Sequence, residues 1–135
     1  MKKCVTGLLL LAFAVPSFAE DEEPLVLHCV YESSAGIFNG LLRTSTHGDN
    51  GQSVPIRDKE TLKITGEQIE HAYNIPTPIV NRTDDYIVGR YYSTEYLLLQ
   101  NTYVFERQDD HSYSVLFSVV REKISYIDYG TCTKF

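Results

Sequence analysis

Residues 123–135 read KISYIDYGTCTKF, and residues 25–31 read LVLHCVY. Each stretch alternates in the manner of a β-strand, and each carries one cysteine. In the first, Leu25, Leu27, Cys29 and Tyr31 share a face, so Cys29 points to the core side and His28 away from it. Cys132 stands near the other end of the chain. A bridge between Cys29 and Cys132 would enclose nearly all of the residues between them. It would also bring the first and last strands together, side by side in a barrel or facing each other in a sandwich.

The third cysteine, Cys4, falls in a different kind of segment. Lys2 and Lys3 precede an apolar run from Leu8 to Val15, then Pro16, then Ser17-Phe18-Ala19. That is the layout of a secretory signal peptide cut after Ala19. The run is far shorter than the roughly 20 residues a spanning helix needs, and no other stretch is long enough. Cys4 precedes the run, where a lipoprotein cysteine would follow it, so it leaves with the leader. The expected mature chain is a single domain from Glu20 to Phe135, too short for two comfortable cores. It keeps two cysteines, the even count that an oxidising compartment favours for one bridge. A periplasmic or secreted location follows as the expectation.

Loss of the leader removes two lysines and no acid, leaving 10 basic against 18 acidic residues, a net charge of −8. Such a surface argues against phosphate-backbone binding and suits a partner of opposite charge. The only acidic run, Glu20 to Glu23, reads as a solvated terminus.

Tyrosine, valine, isoleucine and threonine dominate the rest, and alanine is scarce after the leader, a strand-forming composition. Residues 37–44 form a second apolar run. Asn50-Gly51 marks a hairpin because both residues tolerate positive φ, and residues 53–57 are expected to return as a short edge strand containing Pro55. The stretch from Glu32 to Gly36 has serines but no local base and reads as a turn. Thr65 and Gln68 have capping-box spacing, which predicts a short helix over 65–73. Residues 75–85 read as loop or edge. Strands are expected over 86–92, over 96–106 with Leu97, Leu99, Tyr103 and Phe105 on one face and Asn101 the exception, over 113–119, and over 123–133. The last three make an antiparallel meander. The fold expected is mainly β, an antiparallel barrel or sandwich with one disulfide and one short helix.

The tyrosine-rich hairpin and the terminal strand YGTCTKF together resemble the ending of small exported bacterial β-proteins with a C-terminal Gly-x-Cys strand. The resemblance covers about the last third of the chain and implies no particular activity.

Catalytic and metal signatures are missing. His28, His47, His71 and His111 have no ligand-type neighbours at a metal-binding spacing. HGDNGQS lacks the glutamate that an EF-hand loop requires. There is no G-x-S-x-G elbow and no phosphate-cradling glycine loop. Asn81-Arg82-Thr83 matches a glycosylation triplet, which matters only where the source modifies such sites. No cofactor, no metal and no enzymatic activity are expected. The stretch GRYYSTEY supplies the candidate interface: Arg90, Tyr91, Tyr92 and Tyr96 are of the types enriched at hot spots. Neighbours on a strand face opposite ways, so only one of Tyr91 and Tyr92 can join the core face. The reading is a binding protein acting on another protein, in the manner of an inhibitor or immunity factor. A small-ligand or lipid carrier and a structural surface subunit are the alternatives.

Overall fold

The structure, a computed structural model, describes residues 23–46, 58–72, 75–96 without Tyr96, and 99–135. They form nine strands and no helix: β1 (Leu25–Phe38), β2 (Leu41–Thr46), β3 (Lys59–Ile64), β4 (Gln68–His71), β5 (Thr77–Arg82), β6 (Tyr86–Ser93), β7 (Leu99–Arg107), β8 (Ser112–Val120) and β9 (Ile124–Lys134). All pairings are antiparallel. β3 to β9 follow one another around the sheet, and β1 closes the ring by pairing with both β3 and β9. The result is an eight-stranded closed barrel with β2 as an extra strand, so the barrel expectation holds and the sandwich falls.

β1 accomplishes the closure by serving three neighbours. One edge pairs with β9 along nearly its whole length. The other edge pairs with β3 over Leu25–Val30 and with β2 over Ser33–Phe38. The changeover coincides with a bulge, where the register with β9 slips between Tyr31 and Ser33. A bulge bends its strand and increases the local twist, as closure demands. Opposite it lies Gly130, which pairs with Tyr31. A Cβ on Gly130 would stand 2.2 Å from the Val30 carbonyl oxygen, so only glycine lets β9 approach β1 this closely.

Cys29 and Cys132 are direct cross-strand partners on β1 and β9, and their sulfurs are bonded at 2.02 Å. Both residues are fully buried inside the barrel. The disulfide therefore stands where the terminal strands were expected to meet, and they meet side by side.

The interior has two halves. Toward the end where β1 begins, Leu27, Leu62, Ile64, Ile69, Ile87, Phe105, Val115 and the disulfide pack into a dry core. An aromatic column continues upward: Phe105 and Tyr103 stack at 5.8 Å, Tyr103 meets Phe117 at 4.4 Å, Phe117 meets Tyr126 at 6.3 Å, and Tyr126 stacks on Phe38 at 6.0 Å. The second half is more polar and opens at the end where β1 finishes.

Three local expectations are corrected. Where a helix was expected over 65–73, the described residues 65–72 hold a turn and the strand Gln68–His71. Thr65 N–H donates to the Gln68 carbonyl at 3.0 Å and Gln68 N–H donates to Thr65 Oγ1 at 3.2 Å, so the capping pair closes a tight turn leading into β4. The turn expected over Glu32–Gly36 belongs to the second half of β1. After the bulge its inward residues are Ser34 and Gly36, both buried, which give no apolar alternation to read. Residues 77–82, expected as loop or edge, are β5, paired on both sides. The apolar run 37–44 is real but is divided between two strands by Asn39-Gly40, with φ of 49° and 81°. Those angles mark a two-residue hairpin turn. The hairpin at Asn50-Gly51 and the short strand over 53–57 lie outside the described residues.

Candidate functional site

Alternation along six consecutive strands brings the site together. Counting inward positions toward the open end gives His71 on β4, Thr77 on β5, Tyr91 on β6, Leu99, Asn101 and Tyr103 on β7, Phe117 and Val119 on β8, and Tyr126 on β9. These side chains, with Ile75 and Arg121 at the rim, enclose a cavity of about 180 Å³ in the barrel mouth. A cavity of ~150 Å³ holds one benzene-sized group, whereas drug-sized ligands occupy ~300 Å³ or more. The mouth therefore accepts a single ring or a short chain, and a lipid tail exceeds it.

The inner end of the cavity is polar. The Glu60 carboxylate, on β3, accepts hydrogen bonds from the hydroxyls of Tyr31 and Tyr103, the latter at 3.3 Å. His71 Nδ1 lies 3.5 Å from the other Glu60 oxygen and 3.3 Å from the Tyr103 hydroxyl. His71 Nε2 faces Thr77 Oγ1 at 3.5 Å. The order carboxylate–imidazole–hydroxyl is that of a nucleophile relay, but the spacing is not. Both long contacts exceed the roughly 2.6–3.2 Å that proton transfer uses, and the Tyr103 hydroxyl shares Nδ1 with Glu60. The cluster anchors an ionisable floor across β1, β3, β4 and β7. Asn101 differs from its neighbours: its Oδ1 is buried at the cavity wall and has no hydrogen-bond partner. A buried acceptor left so costs about 1–3 kcal/mol, and a donor entering the cavity would remove that cost.

The tyrosine-rich stretch divides as strand geometry requires. Tyr91 turns inward and lines the cavity. Arg90 and Tyr92 point outward, with Tyr92 58% exposed, opposite Thr102 and Gln100 of β7. Tyr96 lies outside the described residues. Arg90, Tyr91 and Tyr92 therefore do not form one surface patch, although Tyr91 and Tyr92 both stand at the mouth end of β6. Of the histidines, His28 and His111 are on or near the outer surface, His71 belongs to the cavity, and His47 is outside the described residues. Among the described residues no group of three His, Cys, Asp or Glu is placed to hold a metal ion.

Two features escaped the sequence reading. His71 and Glu60 were invisible as a pair because they come from different strands. The alternation of β3 over Glu60, Leu62 and Ile64 nonetheless placed the carboxylate on the inward face. The second is an apolar outer surface far around the barrel from β6. Leu116 is paired across from Tyr129, Ile127 faces both Ser118 and Ala35, and Ile37 is paired with Leu42, all exposed apart from the half-buried serine. Exposed apolar residues on strands are ordinary singly; these are clustered.

The class that fold and site define is a closed eight-stranded antiparallel barrel, joined at its terminal strands by one disulfide and holding a small polar-floored cavity in one mouth. No family model, characterised protein or solved structure matches the chain.

Proposed function

We propose that this chain is an exported binding protein that recognises another protein in the periplasm or cell envelope, inhibiting or neutralising it without catalysis. The observation that carries the proposal is the barrel mouth: a cavity sized for one side chain, walled by Tyr91, Tyr103, Phe117 and Tyr126, with Tyr92 exposed beside it. A rigid aromatic socket with an amphipathic rim is how a partner's anchor residue is held at a hot spot. The cavity volume disfavours the lipid carrier, and the long spacings about His71 disfavour the nucleophile relay. The acidic charge would steer a basic partner toward the chain.

The test is affinity capture from envelope and secreted fractions at low and moderate salt, with wild type beside Tyr91→Ala and Tyr92→Ala. A partner retained by wild type and lost by both variants supports the proposal. Recovery of no partner at either salt refutes it. A small molecule found by native mass spectrometry in the gently purified protein would favour the carrier. The exported location is checked separately, by an N-terminus at Glu20 in the fractionated protein.

A further inference from the structure

We infer that the mouth cavity is a socket for a primary ammonium group on a short aliphatic stem, supplied by a lysine side chain of the partner. The inference deepens the binding reading above and rests on it.

Three observations converge on a cation. The walls present four aromatic rings, Tyr91, Tyr103, Phe117 and Tyr126, whose faces carry negative quadrupole charge and attract an ammonium. Behind Tyr103 and His71 stands the Glu60 carboxylate, within a side chain's thickness of the lining. Asp128 is a second carboxylate fully buried in the barrel interior. Finally, Asn101 Oδ1 offers a buried acceptor that lacks a donor, and an ammonium has three. A carboxylate guest would meet the Asn101 oxygen and approach the Glu60 carboxylate behind the lining, both unfavourable to it. Arg121, the one arginine or lysine of the lining among the described residues, is exposed at the rim, where solvent screens it. The volume of about 180 Å³ suits four methylenes and a nitrogen, and a lysine stem is itself apolar enough to lie against rings.

Lysine also fits the charge of the two surfaces. The chain carries a net −6, so its partner of choice is basic, and a basic protein presents lysines.

The test has two arms. In the first, the purified, disulfide-bonded, isotope-labelled protein is titrated with n-butylamine, butyrate and n-butanol and followed by two-dimensional amide NMR. Saturable shifts at Asn101, Tyr103 and Phe117 are expected with butylamine, at least tenfold weaker binding of the other two probes, and at least tenfold weakening of butylamine by Asn101→Leu. Asn101→Asp, which keeps the shape and adds negative charge, should tighten butylamine severalfold, a gain that a merely structural role would not produce. Butyrate binding as well as butylamine, no saturable shifts, or indifference to both Asn101 substitutions would overturn the inference.

In the second arm, the capture experiment is repeated from fractions whose amines have been acetylated. Loss of the partner on acetylation supports the lysine socket. Undiminished capture overturns it while leaving the binding reading intact. Absence of any partner from untreated fractions removes the binding reading itself, whatever butylamine does.

Discussion

Removing the disulfide should cost this barrel a large share of its stability, and the amount can be worked from its position. Cys29 and Cys132 are 103 residues apart in sequence. In the chain-entropy model, closing a loop of that length stabilises by about 4.7 kcal/mol at 25 °C. Small domains have total stabilities of ~5–15 kcal/mol. The bridged residues are already direct partners in the β1–β9 ladder, so the native pairing needs no adjustment when the sulfurs go. Nearly all of the effect should then appear in the unfolded chain, which gains freedom. At this size, each kcal/mol corresponds to roughly 4 °C, so Cys29→Ala/Cys132→Ala should lower Tm by roughly 15–20 °C. Thermal unfolding followed by circular dichroism measures it. Urea unfolding supplies a second readout, because a longer-reaching unfolded chain exposes more surface and should raise the m value. A Tm lowered by less than about 5 °C, with m unchanged, would refute the reasoning and place the stability of the closure in the strand pairing alone.

Three further outcomes are expected. Gly130→Ala drives a methyl into the Val30 carbonyl and the Tyr31 backbone and should destabilise by more than about 3 kcal/mol, whereas Gly66→Ala, with open space around it, should stay within about 0.5 kcal/mol; urea titration of the two compares them directly. Tyr31→Phe withdraws a hydroxyl from the buried side of Glu60 and should cost about 1–3 kcal/mol in the same assay, with any smaller loss arguing that the other partners of Glu60, Tyr103 and His71 among them, satisfy the carboxylate. On the outer surface, the Ser112 hydroxyl and the His111 N–H hold Asp109 below its ordinary 3.8, and Gln68 and Lys63 hold Glu70 below its ordinary 4.5. Because folding depresses both, their small stabilisation is present above the unfolded values and fades as pH falls through the folded ones; NMR carboxyl titration with midpoints at or above the ordinary values would contradict the contacts.

How much of this was legible in the sequence follows from what each strand needed to declare itself. β6, β7, β8 and β9 alternate apolar and polar residues because one face meets the core and the other meets water, and the sequence reading located all four. Even Asn101, flagged as the odd member of its face, proved to point inward with Leu99, Tyr103 and Phe105. β1 was read only as far as Tyr31 because the bulge then shifts the phase, and its inward positions become Ser34 and Gly36. β4 was obscured by a genuine local signal: Gln68 N–H donates to Thr65 Oγ1 as in a cap, but Thr65 N–H donates to the Gln68 backbone carbonyl around a turn, and pairing of Ile64 with Ile69 then overrides helix. Asn39-Gly40 was the overlooked hairpin mark, hidden inside an apolar run. The candidate site was legible only in its components. That Tyr91 and Tyr92 must part company follows from strand geometry. That Tyr91 would join His71, Asn101 and Tyr103 around one opening depends on barrel closure and on the order of the strands, which no local pattern reveals.

The closure itself carries a kinetic consequence. Because β1 must find β9, the seam of the barrel joins strands whose bridged cysteines are 103 residues apart and are therefore synthesised at widely separated times. β1 has to wait, with the edge that β9 will cover still bare, until β9 arrives. Such distant pairing places the fold among slow, high-contact-order topologies, and the waiting edge is where aggregation would begin.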